Sequence, residues 1–204
     1  MRVNVILGIC LNLVVAGTAC AALDGQIKPQ EVTLLPEYCP YTITFTSQYG
    51  SREGTAQWME RLGPAFKSMH HYCWALIAMN RAKRVNATAM EKRHNYNSAV
   101  SDIDFVLRYA KEDFPLMPEI LSRRGEALMQ LKEFGRAETD LRKAIEIRVD
   151  YWPAYTRLAE CFRAQGKRDA AIQTLKDGIP KVSDARMLQR LLAELEGSAQ
   201  QSPK

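Results

Sequence analysis

Trp152-Pro-Ala-Tyr155-Thr-Arg-Leu158-Ala159-Glu-Cys-Phe162-Arg-Ala-Gln-Gly166-Lys-Arg-Asp-Ala-Ala171-Ile-Gln-Thr-Leu175-Lys-Asp-Gly178 is the stretch that decides the fold. Its small and large apolar residues recur at a fixed interval of 34 residues: Leu121 with Tyr155, Gly125 with Ala159, Ala137 with Ala171, Leu141 with Leu175 and Ala144 with Gly178. The same interval carries Leu158-Ala159 on to Leu192-Ala193. A period of this length marks stacked helical hairpins, none of which buries its apolar face alone. The small residues let paired helices approach, and the large ones fill the space between a hairpin and its neighbours.

These residues resemble the tetratricopeptide repeat family, whose pattern runs Trp, Leu-Gly, Tyr, then Gly, Ala, a large apolar residue, Ala and Pro. The unit 152–185 matches it at Tyr155, Leu158, Ala159, Phe162, Gly166, Ala171, Leu175 and Gly178. The unit 118–151 keeps Gly125, Phe134, Ala137, Leu141 and Ala144, but has Arg124 at the usual Leu, Lys132 at the usual Gly, and reaches Pro only at Pro153. An earlier unit places Trp74-Ala75 in its first helix and Tyr96, Ala99, Ile103 and Val106 in its second. It departs most, because Ala75 and Ala99 stand about twice as far apart as the family places them, and residues 83–92 must lengthen the helices or their turn.

The resemblance implies an all-α fold, a TPR-like α-α superhelix of about three helical hairpins over residues 63–196. A capping helix at 185–196 ends the stack, and residues 197–204 read as a disordered tail. In similar proteins the first helix of each unit lines a concave groove that holds a segment of a partner. Carried over by position, that face presents Ser122, Glu126, Met129, Thr156, Glu160 and Arg163. Carboxylates beside one Arg and a flexible Met suit a protein or peptide partner with some positive charge and one or two apolar anchors.

Before the repeats, Pro64 fits the first position of a helix over 64–84, in which Phe66, Met69, Cys73 and Ile77 form one apolar stripe. A second, small-residue face carries His71, Ala75, Ala78 and Ala82, so this helix is expected inside a stack. Residues 55–61 form a short helix ended by Gly63. The flank 22–62 contains Pro29, Pro36 and Pro40 and is expected to be irregular and packed on the helices, with 41–46 extended and Tyr38, Tyr41 and Phe45 as anchors. At the start, one Arg precedes an apolar run of about fourteen residues ending in Ala19-Cys20-Ala21, the plan of a signal peptide over 1–21. The run is too short to span a bilayer. Gly17-Thr-Ala-Cys20 also resembles a lipoprotein box, so a membrane attachment is expected only if Cys20 is lipidated. A periplasmic or secreted chain follows.

Of five cysteines, Cys10 and Cys20 fall in the leader, which leaves Cys39, Cys73 and Cys161. In an oxidising compartment a Cys39–Cys73 disulfide would fasten the flank to the stack, leaving Cys161 as a buried thiol. The alternative use of Met69-His70-His71-Tyr72-Cys73-Trp74 is a metal or haem site through His70 and Cys73, with Cys39 or His94 completing it. Helix geometry opposes this, since His71 points about 100 degrees from His70. No metal and no cofactor is expected. Nor is an enzyme, because Gly-x-Ser-x-Gly, phosphate-cradling and His-Glu-x-x-His patterns are absent, only three histidines exist, and the many carboxylates read as solvated helix faces rather than a converging pair. The formal charge of +5 is spread through alternating signs, and Trp58, Trp74 and Trp152 sit beside no basic run, so no nucleic acid is expected as a partner. The sequence therefore reads as a non-catalytic interaction scaffold or adaptor of the bacterial cell envelope. The alternatives are a lipoprotein subunit of an outer-membrane pilus, secretion or polysaccharide-export assembly, and the metal-linked module.

Overall fold

The computed structural model describes residues 27–200, with side chains to Gly197. The expected leader, with Cys10 and Cys20, and residues 201–204 of the expected tail lie outside the described residues. Short helices come first among the described residues: α1 (Pro29–Val32), α2 (Thr46–Tyr49) and α3 (Arg52–Leu62). A stack follows: α4 (Met69–Ala82) with α5 (Ala89–Tyr109), α6 (Met117–Gln130) with α7 (Phe134–Ile147), α8 (Trp152–Ala164) with α9 (Arg168–Gly178), and α10 (Arg186–Gln200). Among the described residues there is no strand, and no helix is long and apolar enough to cross a membrane.

Among the described residues the architecture is an α-α superhelix of three hairpins followed by α10. Each hairpin packs tightly, and α6 meets α8 while α8 meets α10, so the first helices share one side of the stack. The period is visible in the core. Ile120, Ala154 and Leu188 are buried at equivalent positions, as are Ala127, Cys161 and Leu195. Gly125 sits where α6 crosses α7: a Cβ added there would lie 2.8 Å from Leu141 Cγ and 3.3 Å from the Ala137 carbonyl. Ala159 is fully buried, whereas Ala193 on α10 is exposed, since among the described residues no second helix follows α10 to cover it.

Both departures from the repeat pattern have a local remedy. Arg124, at the position of a usual Leu, donates through Nε and Nη2 to the two oxygens of Asp140 on α7, each at 2.7 Å, and through Nη1 to Asp104 on α5 at 2.6 Å. The guanidinium thus links three helices where an apolar side chain would have filled the gap. Lys132 adopts φ 63° between α6 and α7, the same left-handed turn that Gly166 makes at φ 73° between α8 and α9. The backbone is kept and the lysine bears the strain.

The first hairpin absorbs its extra residues in α5, which has 21 residues against 14 in α7 and 11 in α9. Its start is fixed by a capping box: the Thr88 hydroxyl accepts from the Glu91 amide at 3.2 Å, and the Glu91 carboxylate accepts from the Thr88 amide at 2.8 Å. The helix expected over 64–84 begins instead as a 3-10 turn, Pro64–Ser68, before α4.

The flank corrects one expectation. Residues 41–46 are not extended: a 3-10 turn, Cys39–Tyr41, leads through a bend into α2. The threonines themselves explain this. Thr42 Oγ1 donates to the Cys39 carbonyl at 2.9 Å and Thr46 Oγ1 to the Thr42 carbonyl at 2.8 Å, so the hydroxyls satisfy turn backbone that a lone strand would leave open. Tyr38 and Phe45 are buried, and Tyr38 packs edge-on against Trp58. Cys39 is bonded to Cys73 of α4, with S–S 2.04 Å and Cα–Cα 5.8 Å. At the other end α10 runs through Gln200, past the boundary at 196 where the sequence suggests a tail.

Candidate partner-binding groove

The side of the stack formed by α6 and α8 holds a cavity of about 380 Å3. Glu119, Arg123, Glu126 and Met129 enter it from α6, and Trp152, Thr156, Arg157 and Glu160 from α8. Helical spacing explains the set. Residues at steps of three and four on each first helix face the same way, and the 34-residue period turns Arg123 and Arg157, or Glu126 and Glu160, to the same side.

Four of the six expected face residues, Glu126, Met129, Thr156 and Glu160, meet in this cavity. Ser122 does not reach it freely: it is fully buried, and its Oγ accepts from Arg157 Nη1 at 3.1 Å. Arg163 is exposed and lies outside the lining. Thr156 contributes little polar surface, since it is buried and its hydroxyl donates to the Pro153 carbonyl at 3.0 Å. Sequence reading missed Glu119, Arg123, Trp152 and Arg157. Arg123 and Arg157 stand one period apart, and that spacing was the signal available for them.

Glu126 is not the open carboxylate that its place in the pattern suggests. Lys83 Nζ lies 2.5 Å from Oε1, and Arg157 Nε and Arg123 Nη1 lie 3.0 and 3.1 Å from Oε2. Burial pushes its pKa up, but Arg157, Lys83 and Arg123 outweigh that and hold the carboxyl down at about 2. The cluster therefore binds one helix to the next. Glu160 is the opposite case: burial raises its pKa, and Arg157 and Arg163 oppose this only through space. Glu119 accepts from the Tyr72 hydroxyl at 2.9 Å, and that tyrosine, buried and close to the carboxylate, is pushed well above the ordinary phenol value. The groove thus offers one unpaired half-buried carboxylate, Glu160, beside the Met129 side chain and the Trp152 indole.

The flank closes the end of this groove that lies toward α4. Leu34, Leu35 and Pro36 face Leu76, Met79 and Lys83 across a cavity of about 230 Å3 that shares Glu119 and Arg123 with the larger one. Glu31 anchors the segment: Arg81 Nε and Nη2 each donate to it at 2.7 Å and Arg84 Nη2 at 2.6 Å. The Arg81 hydrogen bond, partly opposed by burial and aided by the Lys28 amide and Arg84, holds the Glu31 carboxyl near 2. Ion pairs, the disulfide and buried Tyr38 fasten the flank over the first hairpin.

The His70-His71 segment makes a packed aromatic cluster. His71 Nδ1 lies 2.7 Å from Asp102 Oδ1, and its ring lies 3.8 Å from that of Phe105, with Trp74 edge-on at 5.0 Å. His70 Nδ1 lies 3.0 Å from the Lys67 carbonyl, and burial, with His71 beside it, lowers its pKa. Cys73, bonded to Cys39, has no thiolate to offer a metal. Among the described residues no three His, Cys, Asp or Glu side chains are grouped to hold one. Cys161 is a buried free thiol on α8, raised in pKa by that burial.

Residues 128–195 match the family model of the tetratricopeptide repeat. No curated protein matches the sequence. Among solved structures, a thermophilic TPR protein of Thermus thermophilus is 17% identical, covers 71% of this chain and 70% of its own, and superposes with a TM-score of 0.55. That likeness is one of fold. The TPR2B domain of yeast Sti1, solved as a pHsp70 complex, is 25% identical, covers 61% of this chain and 97% of its own, and has a TM-score of 0.45.

Proposed function

We propose that this chain, whose residues 128–195 match the tetratricopeptide-repeat family model, is a non-catalytic interaction scaffold that holds a segment of a partner protein in the groove of α6 and α8. The observation that carries the reading is the groove itself: an open concavity of about 380 Å3 whose walls combine apolar Met129 and Trp152 with the unpaired carboxylate of Glu160. An unpaired, partly desolvated carboxylate favours a cation, and a methionine and an indole favour an apolar side chain. A partner segment with one basic residue next to an apolar anchor satisfies both.

The setting we propose is the bacterial cell envelope, periplasmic or secreted. The Cys39–Cys73 disulfide supports it, since such bonds persist in oxidising compartments, and so does the leader read from residues 1–21. Reversing the charge of Glu160 tests the function. Purified Glu160→Lys protein should retain less than one tenth of the partner captured by the wild-type chain from an envelope extract. Equal capture by both proteins would remove the groove as the binding surface.

A further inference from the structure

The groove does not stop at α8. A second concavity of about 280 Å3 lies between α8 and α10, lined by Trp152, Asp184, Arg186, Met187 and Arg190. Trp152 lines both. The sequence period accounts for the second cavity: Arg190 falls one repeat after Thr156, and Met187 one repeat after Pro153 and two after Glu119, all three of which line the groove. α10 seals the core with Leu188 and Leu195, yet it also turns toward the cavity the positions that α6 and α8 turn to the groove.

Charge differs between the two cavities. In the α6–α8 cavity stands Glu160 of α8, whose pKa burial raises, with Arg157 and Arg163 opposing this through space and Glu126 and Glu194 adding to it. On the α10 side, Arg186 is occupied by Asp184, whose oxygens accept its Nε and Nη2 at 2.9 and 2.6 Å. Arg190 instead touches only the Met187 sulfur, at 3.3 Å, and no carboxylate pairs with it among the described residues. Two exposed apolar side chains accompany these charges: Trp152, 40% exposed, lines both cavities, and Met187, 38% exposed, lines the second with Arg190. Opposite charges set on either side of an apolar contact select a partner by the order of its charges as well as by shape.

We propose that α10 is a wall of the binding groove as well as a cap, and that the groove takes an extended partner segment with an apolar side chain over Trp152, a basic one toward Glu160 and an acidic one toward Arg190. The inference rests on the groove reading above and adds the third wall and the charge order.

Four fluorescein-labelled dodecapeptides test it, each with a central Leu: acidic then basic ends, basic then acidic, both acidic, both basic. In fluorescence polarisation with the purified chain, one mixed peptide should bind at least tenfold tighter than either same-sign peptide. Arg190→Glu should move the preference to the peptide with two basic ends, and Glu160→Lys to the one with two acidic ends. Thermal melts of both variants, altered at side chains turned to solvent or the groove, should match the wild type. If Glu160→Lys reorders the peptides and Arg190→Glu does not, α10 lies outside the groove and the inference falls while the groove reading stands. If the wild-type chain binds all four alike, the charge order is wrong. Failure of the groove reading itself shows separately, as undiminished partner capture by Glu160→Lys.

Discussion

Arg124 and Asp140 face each other across the α6–α7 hairpin in a two-pronged pair, with both contacts at 2.7 Å and the aspartate side chain only 7% exposed. Removing one partner of such a pair strands the other charge, a cost of about 3 kcal/mol or more. Arg124→Leu, although it restores the residue usual in the repeat, should therefore lower the unfolding free energy by about 3 kcal/mol. Arg124→Leu with Asp140→Ala should recover most of that loss. Urea melts of the single and double variants check this, and equal stabilities for the two would mean that the pair is not coupled.

Lys132 holds a left-handed turn that its counterpart Gly166 holds without strain. The left-handed conformation costs a side-chain-bearing residue roughly 1 to 2 kcal/mol, and the extra freedom of glycine in the unfolded chain offsets roughly half of that. Lys132→Gly should stabilise the protein by about 0.5 to 1 kcal/mol, visible as a rise in Tm. Gly166→Lys should do the reverse.

Acid should unfold the stack through Glu126 and Glu31. Both are held near pH 2 against an ordinary value of 4.5, so between those values the unfolded chain binds more protons than the folded one, and stability rises with pH. Their contribution is complete above about pH 4.5 and is lost as the pH falls toward 2. For Glu126 it is on the order of 3 kcal/mol at neutral pH. Glu126→Gln should flatten the acid limb of a stability-versus-pH curve and lower the neutral plateau.

The Cys39–Cys73 bond closes a loop with a sequence separation of 34. A crosslink of that length stabilises by about 3 to 4 kcal/mol through the unfolded chain. Replacing both cysteines by serine should lower Tm, and the flank 27–62 should become the first segment cut by a protease. Unchanged proteolysis would mean that Glu31 and Tyr38 hold the flank unaided.

The helical stack was legible in the sequence because its cause is periodic. Gly125, Ala137, Ala159, Ala171 and Leu175 are buried for one steric reason repeated at one interval, and a reader of the chain can find it. The groove was legible only in part. That Glu126 sits among Lys83, Arg123 and Arg157 depends on three side chains arriving from α4, α6 and α8, and no local pattern encodes their meeting. The position of Glu160 in the groove followed from the period, but its lack of a partner did not. The flank misled for a chemical reason: β-branched threonines suggest a strand, while their hydroxyls here close turns.

The most direct test of the scaffold reading is site-specific photo-cross-linking in the native compartment. With p-benzoylphenylalanine at Met129, in the groove, the chain should form a discrete adduct with another polypeptide on irradiation. The same group at Thr139, exposed on α7 away from the groove, should form none. An adduct from Thr139 with none from Met129 would contradict the account.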